Sequence, residues 1–334
     1  MRRQRGVALI TALLVTAIAT IAATAMMARQ QLDIRRSGNI YAADQAWLFA
    51  QGLENWAVQI MQQDLNNNQI DHLGEDWATI LPPIGVEGGI VSGAISDLQG
   101  RYNLNNLVDN NGVASQAEID RLKRLFDVLD LDSNRVQAIV DWIDKDEETT
   151  FPDGAEDNVY LGREVAYRTA NRRMNSPSEL LLVEGISFED YQTLRPYVCA
   201  LPEPTPINVN TAPAKVLQAV VPGLEAGDAE QLVSEREDKP FDSIENFRND
   251  SLVKTHLNTE GNASHDYTGV NVVVKGQDAN SNNQNISTDG LSVSSQYFLL
   301  NAAASYDRAN VQMASVIARD GKRARIIQHG QGEY

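Results

Sequence analysis

Val7-Ala-Leu-Ile-Thr-Ala-Leu-Leu-Val-Thr-Ala-Ile-Ala-Thr-Ile-Ala-Ala-Thr-Ala-Met-Met27 runs uncharged between Arg5 and Arg29. A stretch of this length spans a bilayer as a helix. Its four threonines, Thr11, Thr16, Thr20 and Thr24, can return their hydroxyls to the helix backbone, so hydrocarbon tolerates them. Arg2, Arg3 and Arg5 favour keeping this end in the cytoplasm and sending the rest across, although Arg29, Arg35 and Arg36 weaken that bias. The run is longer than the apolar region of a cleaved secretory signal. Leu32, Ile34, Ile40, Tyr41, Trp47, Leu48, Leu53, Trp56, Ile60 and Met61 then recur at mixed spacings of three and four, with no proline before Pro82. The pattern predicts one helix over residues 7–63, about 85 Å long, with its first half in lipid and its second half packed along an apolar stripe.

The full 334-residue chain is 43% hydrophobic and 22% charged, which excludes wholesale disorder and collagenous or disulfide-framework classes. Forty-five acidic residues against 28 basic ones leave a formal charge of -17, a field that repels phosphate backbones. Nucleic acid is therefore not an expected partner. The single cysteine, Cys199, forms no internal disulfide and sits in an apolar segment as an inert thiol.

Residues 64–83 read as a helix stop and loop ending in Pro82-Pro83. Residues 89–97 and 101–107 read as a hairpin turning near Leu98 to Gly100, and residues 269–274, 296–305 and 311–318 as further strands. The strands of one antiparallel sheet are thus separated by a helical stretch. The predicted architecture is α+β: a long N-terminal helix on a sheet formed by residues 84–109 and 267–334, interrupted by an all-α domain over residues 110–266.

Within that insertion, Asp141-Trp-Ile-Asp144-Lys-Asp146-Glu-Glu-Thr-Thr-Phe-Pro-Asp153-Gly-Ala-Glu156-Asp157 packs eight carboxylates into seventeen residues. Such crowding calls for a cation, and Ca²⁺ takes six to eight hard oxygen ligands. Asp144, Asp146, Asp153, Glu156 and Asp157 are the candidate ligands of an irregular site, since Thr149 and Ala155 stand where an EF-hand needs Gly and Glu. A solvated acidic loop is the alternative. Asp64, Asn66, Asn68 and Glu75 form a second EF-like register that a polar helix stop explains as well. Residues 278–289 are an Asn/Ser-rich polar run.

Residues 176–186 and 207–241 resemble helix-hairpin-helix units, which often bind DNA through glycine-freed amides and neighbouring bases. Here Glu184, Glu189, Asp190, Glu225 and Asp228 occupy the phosphate approach. The hairpins are read as scaffold: Asn210 or Thr211 capping a helix, Gly223 turning, and Leu180, Leu182, Leu217 and Val221 filling a core. No histidine pair such as HExxH, no GxSxG and no P-loop is present, and His329 falls in a polar tail. The chain is read as non-enzymatic.

The short basic leader, Gly6, and the apolar helix from Val7 that continues amphipathically resemble the class III signal of type IV pilins and type II secretion pseudopilins. The resemblance implies cleavage of residues 1–6 by a prepilin peptidase after Gly6 and N-methylation of Val7. The mature charge would be -17 minus 3, or -20. Most relatives have glutamate at the fifth mature position, where this chain has Thr11. A missing glutamate, large size and the insertion together resemble the general secretion pathway protein K family of minor pseudopilins. That likeness implies a calcium-binding inserted domain, a single-pass inner-membrane anchor with a periplasmic head, and a place at the pseudopilus tip in initiation, length control and protein export. The implied partners are the I, J and H minor pseudopilins, the major pseudopilin, the peptidase and inner-membrane lipid. The alternative is a membrane-anchored helix-hairpin-helix protein of DNA uptake.

Overall fold

The structure, a computed structural model, describes residues 5–67, 69–259, 290–321 and 323–332. The strand expected at 269–274, the polar run 278–289 and Asn68 lie outside them. Helix α1 (Arg5–Asn67) is followed by β1 (Leu81–Val86), β2 (Gly89–Asp97) and β3 (Tyr102–Asn103). Next come α2 (Gln116–Val128), α3 (Val136–Ile143), α4 (Asp157–Tyr160), α5 (Phe188–Leu194), β4 (Val198–Cys199) and β5 (Ile207–Asn208). The chain continues through α6 (Ala214–Val220), α7 (Ala226–Asp238), α8 (Ile244–Asn249) and α9 (Ser251–Thr259). It ends with β6 (Leu291–Ser292), β7 (Tyr297–Tyr306), β8 (Ala309–Asp320) and β9 (Arg323–Gln331).

Every side chain of α1 from Val7 to Tyr41 is exposed. The four threonines donate to carbonyls three or four residues back, Thr11 to Val7 at 3.1 Å and to Ala8 at 3.0 Å, leaving no unpaired hydroxyl for lipid. Burial begins at Ala42 and continues through Ala46, Ala50, Leu53, Ala57 and Met61. The packing stripe is thus mostly alanine. Leu48 and Trp56, expected in it, are exposed, because they fall off the face that packs Ala50, Leu53, Ala57 and Met61 on the sheet. Buried Glu54, on the same face, accepts from the Ser315 hydroxyl of β8 and lies 3.5 Å from His329.

The sheet runs β1-β2-β7-β8-β9, antiparallel throughout. β2 pairs with β7 along its whole length, from Gly89 opposite Tyr306 to Asp97 opposite Phe298, although residues 98–296 intervene. The hairpin expected at 89–107 is replaced by β1 and β2, which turn at Gly88 (φ +81°), where a side chain would meet the Tyr306 ring. Pro82 and Pro83, taken as loop, lie in β1. They are tolerated there because β1 is an edge strand with a register shift between Leu81 and Ile84. The segment holding His329 is the edge strand β9, whose imidazole meets the Trp47 ring edge-on. Alternation is weak there, with Ala324 and Ile326 the partly buried positions.

Most of the described residues between β2 and β7 build a second core, whose regular elements are helical apart from the two-residue parallel pairs β3–β4 and β5–β6. Tyr102, Leu104 and Leu107 already belong to it, with Leu122, Phe126, Ile139, Leu217, Leu232 and Phe247. Gly185 (φ +76°) and Gly223 (φ +75°) make the two hairpin turns. Leu180, Leu217 and Val221 are buried but Leu182 is 45% exposed. Neither Asn210 nor Thr211 caps α6, whose N-cap is Pro213. Asn210 instead bridges the amide and carbonyl of Phe241, and Thr211 donates to Asp97 at 2.6 Å.

The insertion leaves the sheet at Asp97 and returns at Ser295, beside the C-terminal end of α1, while the Gly88 turn lies by Tyr306, whose ring meets Tyr41 and Phe49 of α1. It therefore caps the end of the sheet farthest from the exposed helix. At that junction Arg319 of β8 donates to Asp64 at 2.7 Å and to Asp71, and its guanidinium lies 4.4 Å from the Phe298 ring centroid. All three ionic side chains are largely buried. Removing the cation leaves two buried carboxylates unpaired, so Arg319→Leu should destabilise the head by about 3 to 5 kcal/mol in urea unfolding. Arg319→Lys, which keeps charge but not the fork of donors, should recover only part. A loss below about 1 kcal/mol for the leucine variant would contradict this role.

Candidate metal centre

Helix α3 ends at Asp144, and the acidic loop returns to Glu156, the N-cap residue of α4. This brings Asp144, Asp146 and Glu156 together, with one oxygen of each within 4.8 Å of the others. Asp144 and Glu156 are buried, 5% and 3% exposed, and Asp146 faces solvent. Asp144 Oδ1 and Glu156 Oε1 have no hydrogen-bond partner. Two orphaned carboxylate oxygens side by side are expensive in a folded protein, and a hard cation would satisfy both.

The loop is shaped from beneath by Asp141, a buried residue on the last turn of α3, whose carboxylate accepts from the Thr150 amide at 3.1 Å. Gly154 passes so close that a Cβ would lie 2.2 Å from Asp141 Oδ2 and 2.4 Å from the Thr150 carbonyl, so only glycine fits. On the far side Thr169 donates its hydroxyl to Glu156 at 3.2 Å, and Asn171 reaches the Asp146 carbonyl at 3.4 Å. Asn171 adopts φ +44° and its own buried side-chain oxygen is unpartnered. Thr169 and Asn171 lie outside the acidic run, and nothing in their local sequence marks them.

Burial, with repulsion from Asp146, Asp141 and Glu156, pushes Asp144 up to about 7. Burial also raises Glu156 to about 7, against the Thr169 hydroxyl and with help from Asp141. Of the other expected ligands, Asp157 turns away: partial desolvation of its carboxyl is outweighed by the Thr169 hydroxyl and amide and by Arg168 at 2.7 Å, which hold it below the usual carboxylate range. Asp153 is exposed and its amide donates to Gln137 at 2.8 Å, leaving its carboxylate outside the cluster. Trp142, stacked edge-on with Tyr160, lies two residues before Asp144.

The second register is differently made. Asp64, Asp71 and Glu75 converge, but Arg319 already stands between the two aspartates. Glu75 accepts from the His72 amide at 2.9 Å and the Trp77 indole at 2.8 Å. A guanidinium already occupies the position between Asp64 and Asp71 that a metal ion would take. The Asn66 side chain and Asn68 lie outside the described part of the structure.

An apolar helix leading into an antiparallel sheet, with a helical region set into the sheet at its far end, defines a pilin-type subunit with an enlarged head. Two family models described as "Type II secretion system (T2SS), protein K" match residues 100–203 and 207–266. Type II secretion system protein K of Pseudomonas aeruginosa is 41% identical over 257 residues, covering 74% of this chain and 76% of that protein. Its counterpart in Pectobacterium carotovorum subsp. carotovorum is 30% identical over 349 residues, covering 99% and 98%. The chain belongs to the type II secretion system protein K family, the minor pseudopilins. The fold is shared with the crystal structure of the GspK-GspI-GspJ complex from enterotoxigenic Escherichia coli, at a TM-score of 0.70 and 23% identity over 90% of this chain and 99% of that one. This assignment replaces the DNA-uptake alternative, which no comparison supports.

Without a cation, Glu156→Gln removes one crowded charge and keeps the shape of the side chain. In chelator the variant should be at least as stable as wild type, by up to about 1 kcal/mol in urea unfolding. A variant less stable than wild type by that amount would mean that the carboxylate is held by the fold alone.

Proposed function

We propose that this minor pseudopilin occupies the tip of the pseudopilus, where it helps initiate assembly and limit length during protein export, and acts without catalysing a reaction. The supporting observation is the position of the inserted region, which covers the end of the sheet farthest from the membrane helix, where a further subunit would have to stack. Thr11 agrees with it. A subunit with no predecessor has no N-terminal ammonium to neutralise, and a lone carboxylate in lipid is unfavourable. The exposed, uncharged run from Val7 to Met27 of α1 supports an inner-membrane anchor, with the head in the periplasm. Cleavage by a prepilin peptidase after Gly6 and methylation of Val7 complete the reading. Partners are other pilin-like subunits: the I and J types, supported by the related complex, then the H type and the major pseudopilin. Antibody against the inserted region should label one end of isolated filaments. Label spaced along their length would overturn the tip assignment.

Calcium belongs to the same reading. Asp144, Asp146 and Glu156 would hold the ion, supported by the two orphaned oxygens and by the hard, anionic character of the donor set. Bound there, Ca²⁺ would cancel the repulsion that raises Asp144 and Glu156 and tie the end of α3 to the start of α4. At 100 times Kd it should add roughly 2.7 kcal/mol to the stability of the folded chain. Chelator should reverse the rise in melting temperature. Mg²⁺ should substitute poorly, since it demands near-octahedral geometry. The pair Asp144→Asn with Glu156→Gln should abolish the rise, whereas Asp153→Asn should leave it. A calcium-induced rise that survives the double substitution would place the ion elsewhere.

A further inference from the structure

Two carboxylates, Asp64 at the end of α1 and Asp71 in the following loop, meet one guanidinium where the insertion joins the sheet, and a third, Asp97 at the end of β2, is joined to them through Ser295. Arg319 binds Asp64 and Asp71. Ser295 links Asp71 to Asp97, its amide donating to Asp71 at 2.6 Å and its hydroxyl to Asp97 at 2.5 Å. From the insertion, Asn208 donates to the Asp71 carbonyl at 3.0 Å and to Asp97 at 3.1 Å, and Thr211 donates to Asp97 at 2.6 Å. The Gln99 amide, at 2.7 Å, completes four bonds to Asp97. Both crossings between sheet and insertion are therefore tied to one buried carboxylate.

We propose that this node is a proton-responsive clamp, in which uptake of a proton by its surplus carboxylates strengthens the hold of the inserted region on the sheet as the pH falls below neutral. With all three ionised, the acids outnumber the base they share. The other charged or titratable groups facing them do not restore the balance. Glu75 adds repulsion on Asp64 and Asp71, and the Cys199 thiol and Arg101 lie on the insertion side. Arg236 of α7 is engaged by the Val209 and Ala212 carbonyls.

Two of the four donors to Asp97 are hydroxyls, which can reverse their role and accept the new proton, as an amide cannot. Thr211 has somewhere to turn. The Asn208 carbonyl lies 3.4 Å from its hydroxyl, so it can donate there while accepting from a protonated Asp97. Burial raises Asp97 to about 6 against its hydrogen bonds. It also raises Asp64 to about 6, with Glu75 assisting and Arg319 opposing, and lifts Asp71 above its ordinary value. Because these values lie above those of an unfolded chain, the folded state binds more protons. The added stability is complete below about pH 4 and is lost as the pH rises through about 6.

The test is chemical unfolding of the full chain in detergent, in chelator, at pH 7.5 and 5.5. Wild type and variants then share any contribution from the metal centre. Each responding carboxyl should raise the folding equilibrium constant roughly fourfold between the two pH values. Asp97→Asn, which mimics the neutral acid, should lose that share of the response. Asp64→Asn, at the rim of the node, should lose its own share, and gives the reading if the Asp97 variant does not fold. Thr211→Val removes a donor to the ionised form and should move the midpoint of the response to higher pH. Full wild-type pH dependence in the Asp64 variant and in any foldable Asp97 variant would overturn the clamp.

Discussion

The head depends on a sheet that cannot close locally. β2 finds its partner β7 only after residues 98–296 have been laid down, and β7 is the central strand, on which α1 packs together with β8. Closing a loop of that length from an unfolded chain would cost about 5 kcal/mol in entropy before any constant. A folded insertion whose two ends already lie together removes most of that cost. The polar node is the local expression of this constraint: Asp97 leaves the sheet, Ser295 returns to it, and both are held with Asn208 and Thr211 in one set of bonds.

Helix α1 meets a different demand, since one continuous rod must suit lipid along its first half and a protein surface along its second. In the first half, apolar side chains point in every direction and hydroxyls bond back to the helix. Below that the contact face narrows to Ala42, Ala46, Ala50 and Ala57, which lets the backbone lie close on the sheet. Larger side chains such as Leu48 and Trp56 remain outside. Those outward groups, with Leu32, Ile34 and Ile40, stay exposed along the helix.

What could be read from residues alone follows from the range of each interaction. The apolar run, the glycine turns at 185 and 223, and the strands β7 and β8 are written in consecutive residues and were legible. β1 was hidden by Pro82 and Pro83, which usually end strands and here sit on an edge. β9 was hidden by its exposure, since a strand with little buried surface barely alternates. The alanine stripe escaped because hydropathy ranks large side chains above the small ones that govern close approach. At the candidate metal centre, three of the five expected carboxylates could be found by counting charges. That Asp157 is taken by Arg168 and Thr169, and that Arg319 answers Asp64 and Asp71, depends on contacts across the fold that no local pattern records.

The two charged clusters solve one electrostatic problem in different ways. At the junction the balancing cation is a side chain of the sheet, so the charge is partly met whenever the chain is folded, and the carboxylate left over, Asp97, is answered by hydroxyls that can donate to its ionised form or accept from its protonated one. At the α3–α4 loop no ion pair to Asp144, Asp146 or Glu156 is formed among the described residues: Arg168 is engaged by Asp157 at the rim, and Lys145 by the Asn111 carbonyl. There the balance must come from outside the chain. Because the insertion supplies the closure on which β2–β7 pairing rests, an ion bound there would also stabilise the sheet without touching it. The same linkage runs in reverse: a sheet held firmly at Asp97 and Ser295 limits the ways the insertion can open, and so raises affinity at a loop it never contacts.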